Sequence, residues 1–355
     1  MSETENEIKP KIGVTIGDFN GIGIEVIIKT FSDNRILSTC TPIIYGSSKV
    51  ISYHRKMLNH QEFNFNTIKN PSEASHKKIN VLNCWEEDVK VDIGKPSNIA
   101  GSYAFNALQA AAKDALDNKI DAIVTAPIDK STIQGDGFNF KGHTEYFASV
   151  CGNAEPVMLM ISDRLRVGLV TGHISLREVP AAISKEKIIA KTKLVYDSLR
   201  KDFGIRKPRI AVLGLNPHAG DSGLLGKEET EIIAPAVEEL NSKDVFAFGP
   251  YPADGFFGSS KIKSFDAVIA MYHDQGLVPF KSLAFTAGIN YTAGLPIVRT
   301  SPDHGTAYDI AGKNIASEES FREAVYAACD IVKQRKITEE ITANPLKFSK
   351  MSSDR

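Results

Sequence analysis

Three histidines share one sequence context: His173 ends the run RVGLVTGH, His218 ends RIAVLGLNPH, and His273 ends FDAVIAMYH. In open α/β sheets ligands bind outside the carboxyl ends of the strands, so three rings placed there can converge on one crevice. One such histidine is commonly a hydrogen-bonded structural residue. Three of them, beside small or turn-forming Gly172, Pro217 and Gly220, point to a shared site. Neutral imidazole ligates borderline divalent ions, and three protein ligands leave coordination positions open for a substrate. Carboxylates stand close by in sequence. Asp274 follows His273, and Asp254 sits in the Pro/Gly-rich stretch GPYPADGFF, which reads as a loop. Each can orient a ligand ring or transfer a proton. His54, His60 and His76 fall in a polar region and read as separately satisfied side chains.

Anion-binding residues form a second set. KGHTEYFA places Lys141, His143 and Thr144 at an expected helix start, where free N–H groups and the helix dipole favour negative charge. Lys281, Asn290 and Arg299 follow the third histidine at intervals that can supply further contacts to an anion. Taken singly, each basic residue reads as solvated surface. IGDFNGIGIEVI sets a glycine-rich turn between a strand and a helix, but Gly17, Gly21 and Gly23 do not make the dinucleotide fingerprint G-x-G-x-x-G. GDSGLLGKEE fails as a triphosphate loop, because Asp221 replaces its first glycine and Glu228 follows Lys227.

The elements that must position these residues are legible as alternation. KIGVTI, TPIIYG, DAIVTAP, RVGLVTGH, RIAVLGLNPH and FDAVIAMYH alternate with helical patterns, which predicts an α/β fold with a largely parallel sheet. Phe105, Leu108, Ala112 and Leu116 are expected on one covering helix face, and Phe321, Val325, Ala328 and Val332 on another. Residues 54–78 read as surface connection and residues 344–355 as a frayed polar tail. The 355 residues suffice for two domains, and 42% hydrophobic with 24% charged residues is an ordinary globular balance. A net charge of -1 gives no electrostatic case for nucleic acid or an anionic membrane as partner. The start MSETENEIKPK lacks signal-peptide character, and no apolar run approaches the roughly 18 residues of a membrane span, so a cytoplasmic location is expected. Cys40, Cys84, Cys151 and Cys329 are scattered and read as reduced packing residues.

Taken together and in order, IGDFNGIGIE, VTAPIDK, FKGHTEYFA, VTGHISLREVP, LNPHAGDSG, GPYPADGFF, AMYHDQGLVPFK and GINYTAGLPIVRTSPDHGTAYDIAGK resemble the 4-hydroxythreonine-4-phosphate dehydrogenase family of vitamin B6 biosynthesis. HGTAYDIAGK also resembles the adenosine-binding loop of isocitrate and isopropylmalate dehydrogenases. The resemblance implies two α/β/α domains of that dehydrogenase kind. One is discontinuous, residues 1–134 plus 300–355, and carries the cofactor's adenosine loop. The other, residues 135–299, carries metal, substrate and dimerisation, with the active-site cleft between domains at a homodimer interface. His173, His218 and His273 would bind one divalent metal, zinc foremost with magnesium, cobalt or manganese as alternatives, using ligands from both subunits. His143, Thr144, Lys281, Asn290 and Arg299 would bind a small phosphorylated substrate, and Asp254 and Asp274 would be the active-site aspartates. His304, Gly305, Thr306, Ala307 and Gly312 would lie along NAD.

The activity so implied is NAD-dependent oxidation of 4-phosphohydroxy-L-threonine to 2-amino-3-oxo-4-phosphohydroxybutanoate, which decarboxylates to 3-amino-2-oxopropyl phosphate. Rivals within the chemistry are erythronate or threonate 4-phosphate, or a cis-dihydrodiol, as substrate. A three-histidine zinc hydrolase and a catalytically silent binding protein are the rivals from other classes. Two departures stand out. Phe19, Asn20 and Ile24 replace residues of the family's usual G-D-P-A-G-I-G-P-E, and the loop after His218 reads GDSGLL where many members carry a glutamate, more glycine and another histidine.

Overall fold

Ile12, Val14, Ile43, Ile44, Ile123 and Val124 are wholly buried, as befits parallel strands covered by helices on both faces. The structure, a computed structural model, describes residues 9–135, 137–284 and 287–344. Its strands are β1 (Lys11–Thr15), β2 (Thr41–Gly46), β3 (Phe65–Ile68), β4 (Ile79–Asn83), β5 (Ala122–Thr125), β6 (Val157–Ile161), β7 (Arg166–Leu169), β8 (Ile210–Leu213), β9 (Ala247–Tyr251), β10 (Ala267–Ala270), β11 (Ile289–Ala293) and β12 (Val298–Pro302). They form one sheet in the order β3-β4-β2-β1-β5-β12-β11-β6-β7-β10-β8-β9. The expected largely parallel α/β architecture is borne out. Its antiparallel pairings are confined to the middle, where β11 runs against β12 and β6, and β6 against β7. Residues of both expected domains join in this sheet, and residues 299 and 300 both lie within β12.

The helices are α1 (Gly23–Ser32), α2 (Ser48–Met57), α3 (Asn98–Leu116), α4 (His143–Val150), α5 (Val179–Ala182), α6 (Lys185–Lys201), α7 (Ala234–Ser242), α8 (Ala253–Phe257), α9 (His273–Leu283) and α10 (Glu319–Ala343). On α10 the expected face of Phe321, Val325, Ala328 and Val332 is buried. On α3 the expectation holds for Phe105, Leu108 and Ala112, but Leu116 is 42% exposed. The face is instead set by Ala100, Ala104, Ala107, Ala111 and Ala115, whose small side chains let the helix lie close on β1, β2 and β5.

Other expectations need correction. Residues 54–78 are not merely surface connection: His54 is buried in α2, and the segment supplies β3 and buried Phe63 and Pro71. Asp254 lies in the first turn of α8, not in a loop, because its Pro/Gly-rich neighbourhood starts a short helix after Pro252. The three histidines do not end strands. His173 follows β7 by four residues, His218 follows β8 by five, and His273 is the first residue of α9. The expected frayed tail lies, beyond Asn344, outside the described residues. Among the described residues no helix is long and apolar enough to cross a membrane.

Candidate active site

Register in the central strands places side chains on one face. Asn290 of β11 stands opposite both Met160 of β6 and Ser301 of β12, and Arg299 lies two residues from Ser301. Because alternate strand residues share a face, Met158, Met160, Asn290, Arg299 and Ser301 all reach the same side of the sheet. They line a cleft of about 350 Å³, closed by the segment after β5 with Lys130, the start of α4, His173, the start of α9, and Asp303 to Gly305.

Arg299 sets the electrostatics. Its guanidinium is 2% exposed and donates to Thr125 Oγ1 at 2.6 Å and Thr292 Oγ1 at 3.1 Å, and neither partner is a carboxylate. Burial lowers its pKa to about 9. A buried charge without a counter-ion is costly, and the cost is met where a ligand supplies that ion. The cleft holds four cationic side chains, Lys130, Lys141, Lys281 and Arg299, against two carboxylates, Glu145 and Asp303. Lys281 Nζ pairs with Asp303 at 3.2 Å, and burial raises the Asp303 carboxyl. His143 opens α4 after Gly142, so the helix N-terminus adds its own positive end. Burial, then Arg299 and Lys130, hold the His143 ring well below the usual imidazole range and therefore neutral.

Four buried polar atoms around this cleft have no partner among the described residues: His143 Nε2, Asn290 Oδ1, Arg299 Nε and His304 Nε2. Buried polar atoms are normally bonded, so this group marks a place that a polar ligand completes.

The residues expected to bind a metal are only partly assembled. His173 and His273 lie with ring centroids 5.6 Å apart in the cleft. Burial, then Lys130 and His273, lower the His173 pKa and keep the ring neutral, the form a metal needs. His273 Nδ1 bonds Asp274 Oδ1 at 2.7 Å; an Nδ1–H donated there leaves the Nε2 lone pair free to ligate. His218 is not among the cleft residues, and neither are Asp254 and Asp274. Among the described residues no group of three or more His, Cys, Asp or Glu side chains is placed to hold a metal. The His218 loop is unusual in itself. His218, Ala219, Asp221 and Ser222 all have positive φ, between 44° and 56°, a conformation costly for non-glycine residues. Buried Glu229 pins the start of that loop by accepting from the Leu215 and Asn216 N–H groups, both at 2.7 Å.

Of the residues expected to bind the cofactor, His304 and Gly305 line the cleft, while Thr306, Ala307 and Gly312 are not among its lining. Their loop is tied to the glycine-rich turn. Ile22 N–H donates to Thr306 O at 3.0 Å, and Tyr308 Oη donates to Asp18 Oδ2 at 2.7 Å. A Cβ at Gly21 would stand 2.6 Å from Thr306 O, so glycine is required there. Lys130, Glu145 and Asp303 also line the cleft, and the sequence patterns above do not single them out. Lys130 follows DAIVTAP past the end of β5, so the strand-end rule applied to the histidines also points to it.

The family model described as pyridoxal phosphate biosynthetic protein PdxA matches residues 38–328. The chain belongs to this family. A family relative from Bacteroides thetaiotaomicron, named 4-hydroxythreonine-4-phosphate dehydrogenase, is 53% identical, with 96% of this chain and 94% of that protein covered. A relative from Cupriavidus necator, 39% identical over 92% of this chain and 98% of its own length, is named D-threonate 4-phosphate dehydrogenase. The crystal structure of 4-hydroxythreonine-4-phosphate dehydrogenase from Klebsiella pneumoniae superposes with a TM-score of 0.82 at 36% identity, covering 92% of this chain and 99% of that one.

Proposed function

We propose that the protein is a metal-dependent NAD oxidoreductase that oxidises 4-phosphohydroxy-L-threonine to 2-amino-3-oxo-4-phosphohydroxybutanoate, whose decarboxylation gives 3-amino-2-oxopropyl phosphate. The observation that carries this reading is buried Arg299, hydrogen-bonded among the described residues to two threonines and to no carboxylate, in a cleft with neutral His143 and His173. Such a site suits a small dianionic substrate that also offers groups to a metal. A cis-dihydrodiol without acidic groups would leave the guanidinium unmatched, whereas one bearing carboxylates would not. Family names support the substrate class, a four-carbon acid bearing a 4-phosphate.

In this proposal Arg299, Lys281, His143, Thr144 and Asn290 hold the substrate, and their grip on the phosphate provides remote binding energy that positions the reacting carbon. His173 and His273 supply two imidazoles to one divalent metal, with zinc the first expectation. His218, standing apart from the cleft of its own chain, supplies the third ligand from a second copy. Asp274 orients the His273 ring, and Asp254 joins the site from the dimer. When bound, the metal acidifies the substrate hydroxyl and NAD accepts the hydride. Residues 304–312 receive the cofactor's adenosine, and the cleft lies between the unit of residues 1–134 plus 300–355 and that of residues 135–299. Exposed Ile174, Leu176, Leu224, Leu225, Val278 and Leu283 follow the three histidines in sequence, and an apolar skirt of this kind suits a covering subunit.

The test follows reduced-nicotinamide absorbance with 4-phosphohydroxy-L-threonine, threonate 4-phosphate and erythronate 4-phosphate, before and after chelation and zinc return. Metal-dependent turnover that prefers the amino acid supports the proposal. Preference for the sugar acids would reassign the substrate, and no reduction with any of them would overturn the dehydrogenase reading.

A further inference from the structure

Asn20 stands where the family's usual pattern has alanine, and it is 1% exposed. Its side chain spans a separate segment. The Asp92 N–H donates to Asn20 Oδ1 at 2.9 Å, and Asn20 Nδ2 donates to Lys95 O at 3.0 Å. Its backbone adds a third link, with Gly94 N–H donating to Asn20 O at 2.8 Å. Residues 92–95 are thereby fixed on the glycine-rich turn, and they press on the back of the candidate cofactor loop. Gly94 has φ +77°, and a Cβ there would lie 2.9 Å from Tyr308 O. Ile93 Cγ2 comes within 2.8 Å of where a Gly312 Cβ would be. The turn, residues 92–95 and residues 304–312 thus form one three-way junction. Asn20 is the side chain that bridges its first two arms.

We infer that Asn20 is a positioning residue for the cofactor loop: by fixing residues 92–95 it holds residues 304–312 in the shape that receives the adenosine end of the nicotinamide dinucleotide. The inference rests on the proposed role of that loop. Alanine would remove both side-chain bonds and leave the Asp92 N–H and the Lys95 carbonyl without these partners. Asn20→Asp would keep the acceptor for Asp92 and lose the donor to Lys95.

The experiment uses the full chain. Amide hydrogen exchange of peptides covering residues 304–312 is compared for wild type, Asn20→Ala and Asn20→Asp without ligand, and NAD and substrate are then titrated separately by calorimetry. Asn20→Ala is expected to exchange faster in those peptides and to bind NAD about ten-fold more weakly, with substrate affinity unchanged and Asn20→Asp intermediate. Unchanged exchange would overturn the clamp. Faster exchange with unchanged NAD affinity would reduce Asn20 to a structural residue. If NAD neither binds wild type nor protects residues 304–312, the cofactor reading of the loop falls instead, while the ligand-free exchange still reports on the clamp.

Discussion

Arg299 concentrates the conflict between folding and binding that a site of this kind requires. Its charge is desolvated by the strands that hold it, and among the described residues its hydrogen-bond partners are two threonine hydroxyls, with the Glu145 carboxylate acting on it at longer range. Replacement by Met should lower kcat/KM by about 10²- to 10³-fold, the cost of losing a charge-assisted contact to a phosphate. Melting curves check the same point independently: substrate should raise the Tm of wild type and leave that of Arg299→Met unmoved. Sequence legibility at this scale was uneven. Arg299 was identified as an anion contact, but its burial was not, because spacing along a chain says nothing of which strands flank a residue. His54 was misplaced for a related reason. It lies on the buried side of α2, with Nε2 unpartnered among the described residues, and burial lowers its pKa to about 4. The unfolded chain takes up this proton near pH 6.5, whereas the folded chain does so only near 4. Stability should therefore fall as pH drops through that interval, by about 3 kcal/mol from this residue alone. Chemical denaturation of wild type and His54→Gln at pH 7 and pH 5 captures about 2 kcal/mol of that loss; an equal pH loss in both proteins would exclude the assignment.

Elements decide whether the two cleft histidines meet. Helix α9 begins at His273 and lies on β7 and β10 because Gly276 faces them without a side chain. A Cβ there would stand 2.8 Å from Val167 Cγ1, 2.9 Å from Leu169 Cδ2 and 3.0 Å from the Ala270 Cβ. Gly276→Ala must displace either those side chains or the helix, and an outward shift of the helix would carry His273 away from His173 and Lys281 away from its proposed substrate contacts. Overpacking of this sort costs about 1–3 kcal/mol, so the variant should fold with a lower Tm while metal affinity falls by a larger factor. Equilibrium dialysis against zinc gives the second quantity, and unchanged affinity would detach α9's packing from the site. The alternation of apolar runs makes six strands, β1, β2, β5, β7, β8 and β10, and the largely parallel sense of the sheet readable, but not the antiparallel β6 and β11 in its middle. What it could not show was the offset between a strand's end and the residue that does the chemistry. His173, His218 and His273 lie three to five residues past their strands, in turns whose course depends on packing partners distant in sequence. Asp254 was assigned to a loop by its proline and glycine neighbours, which instead start a one-turn helix.

At the scale of the whole molecule, a single chain brings two of the three histidines together and leaves the third outside the cleft. A second copy resolves this if its His218 enters the first copy's site, and mixed dimers test that arrangement directly. A His218→Ala homodimer lacks one ligand in both sites, and so does a His273→Ala homodimer. In a heterodimer of the two, one site draws His173 and His273 from the His218→Ala subunit and His218 from the other, so it is complete. The opposite site loses two ligands. Random reassortment makes half of the dimers mixed, each with one working site of two, so mixing two inactive variants should restore about a quarter of wild-type activity per subunit. If all three ligands came from one chain, mixing would restore nothing. The exposed apolar residues near these histidines supply the partner test: Leu176→Asp combined with Leu224→Asp should yield a monomer in sedimentation that keeps its fold and loses tight zinc binding. A monomer that still bound zinc tightly would place the third ligand elsewhere in the same chain.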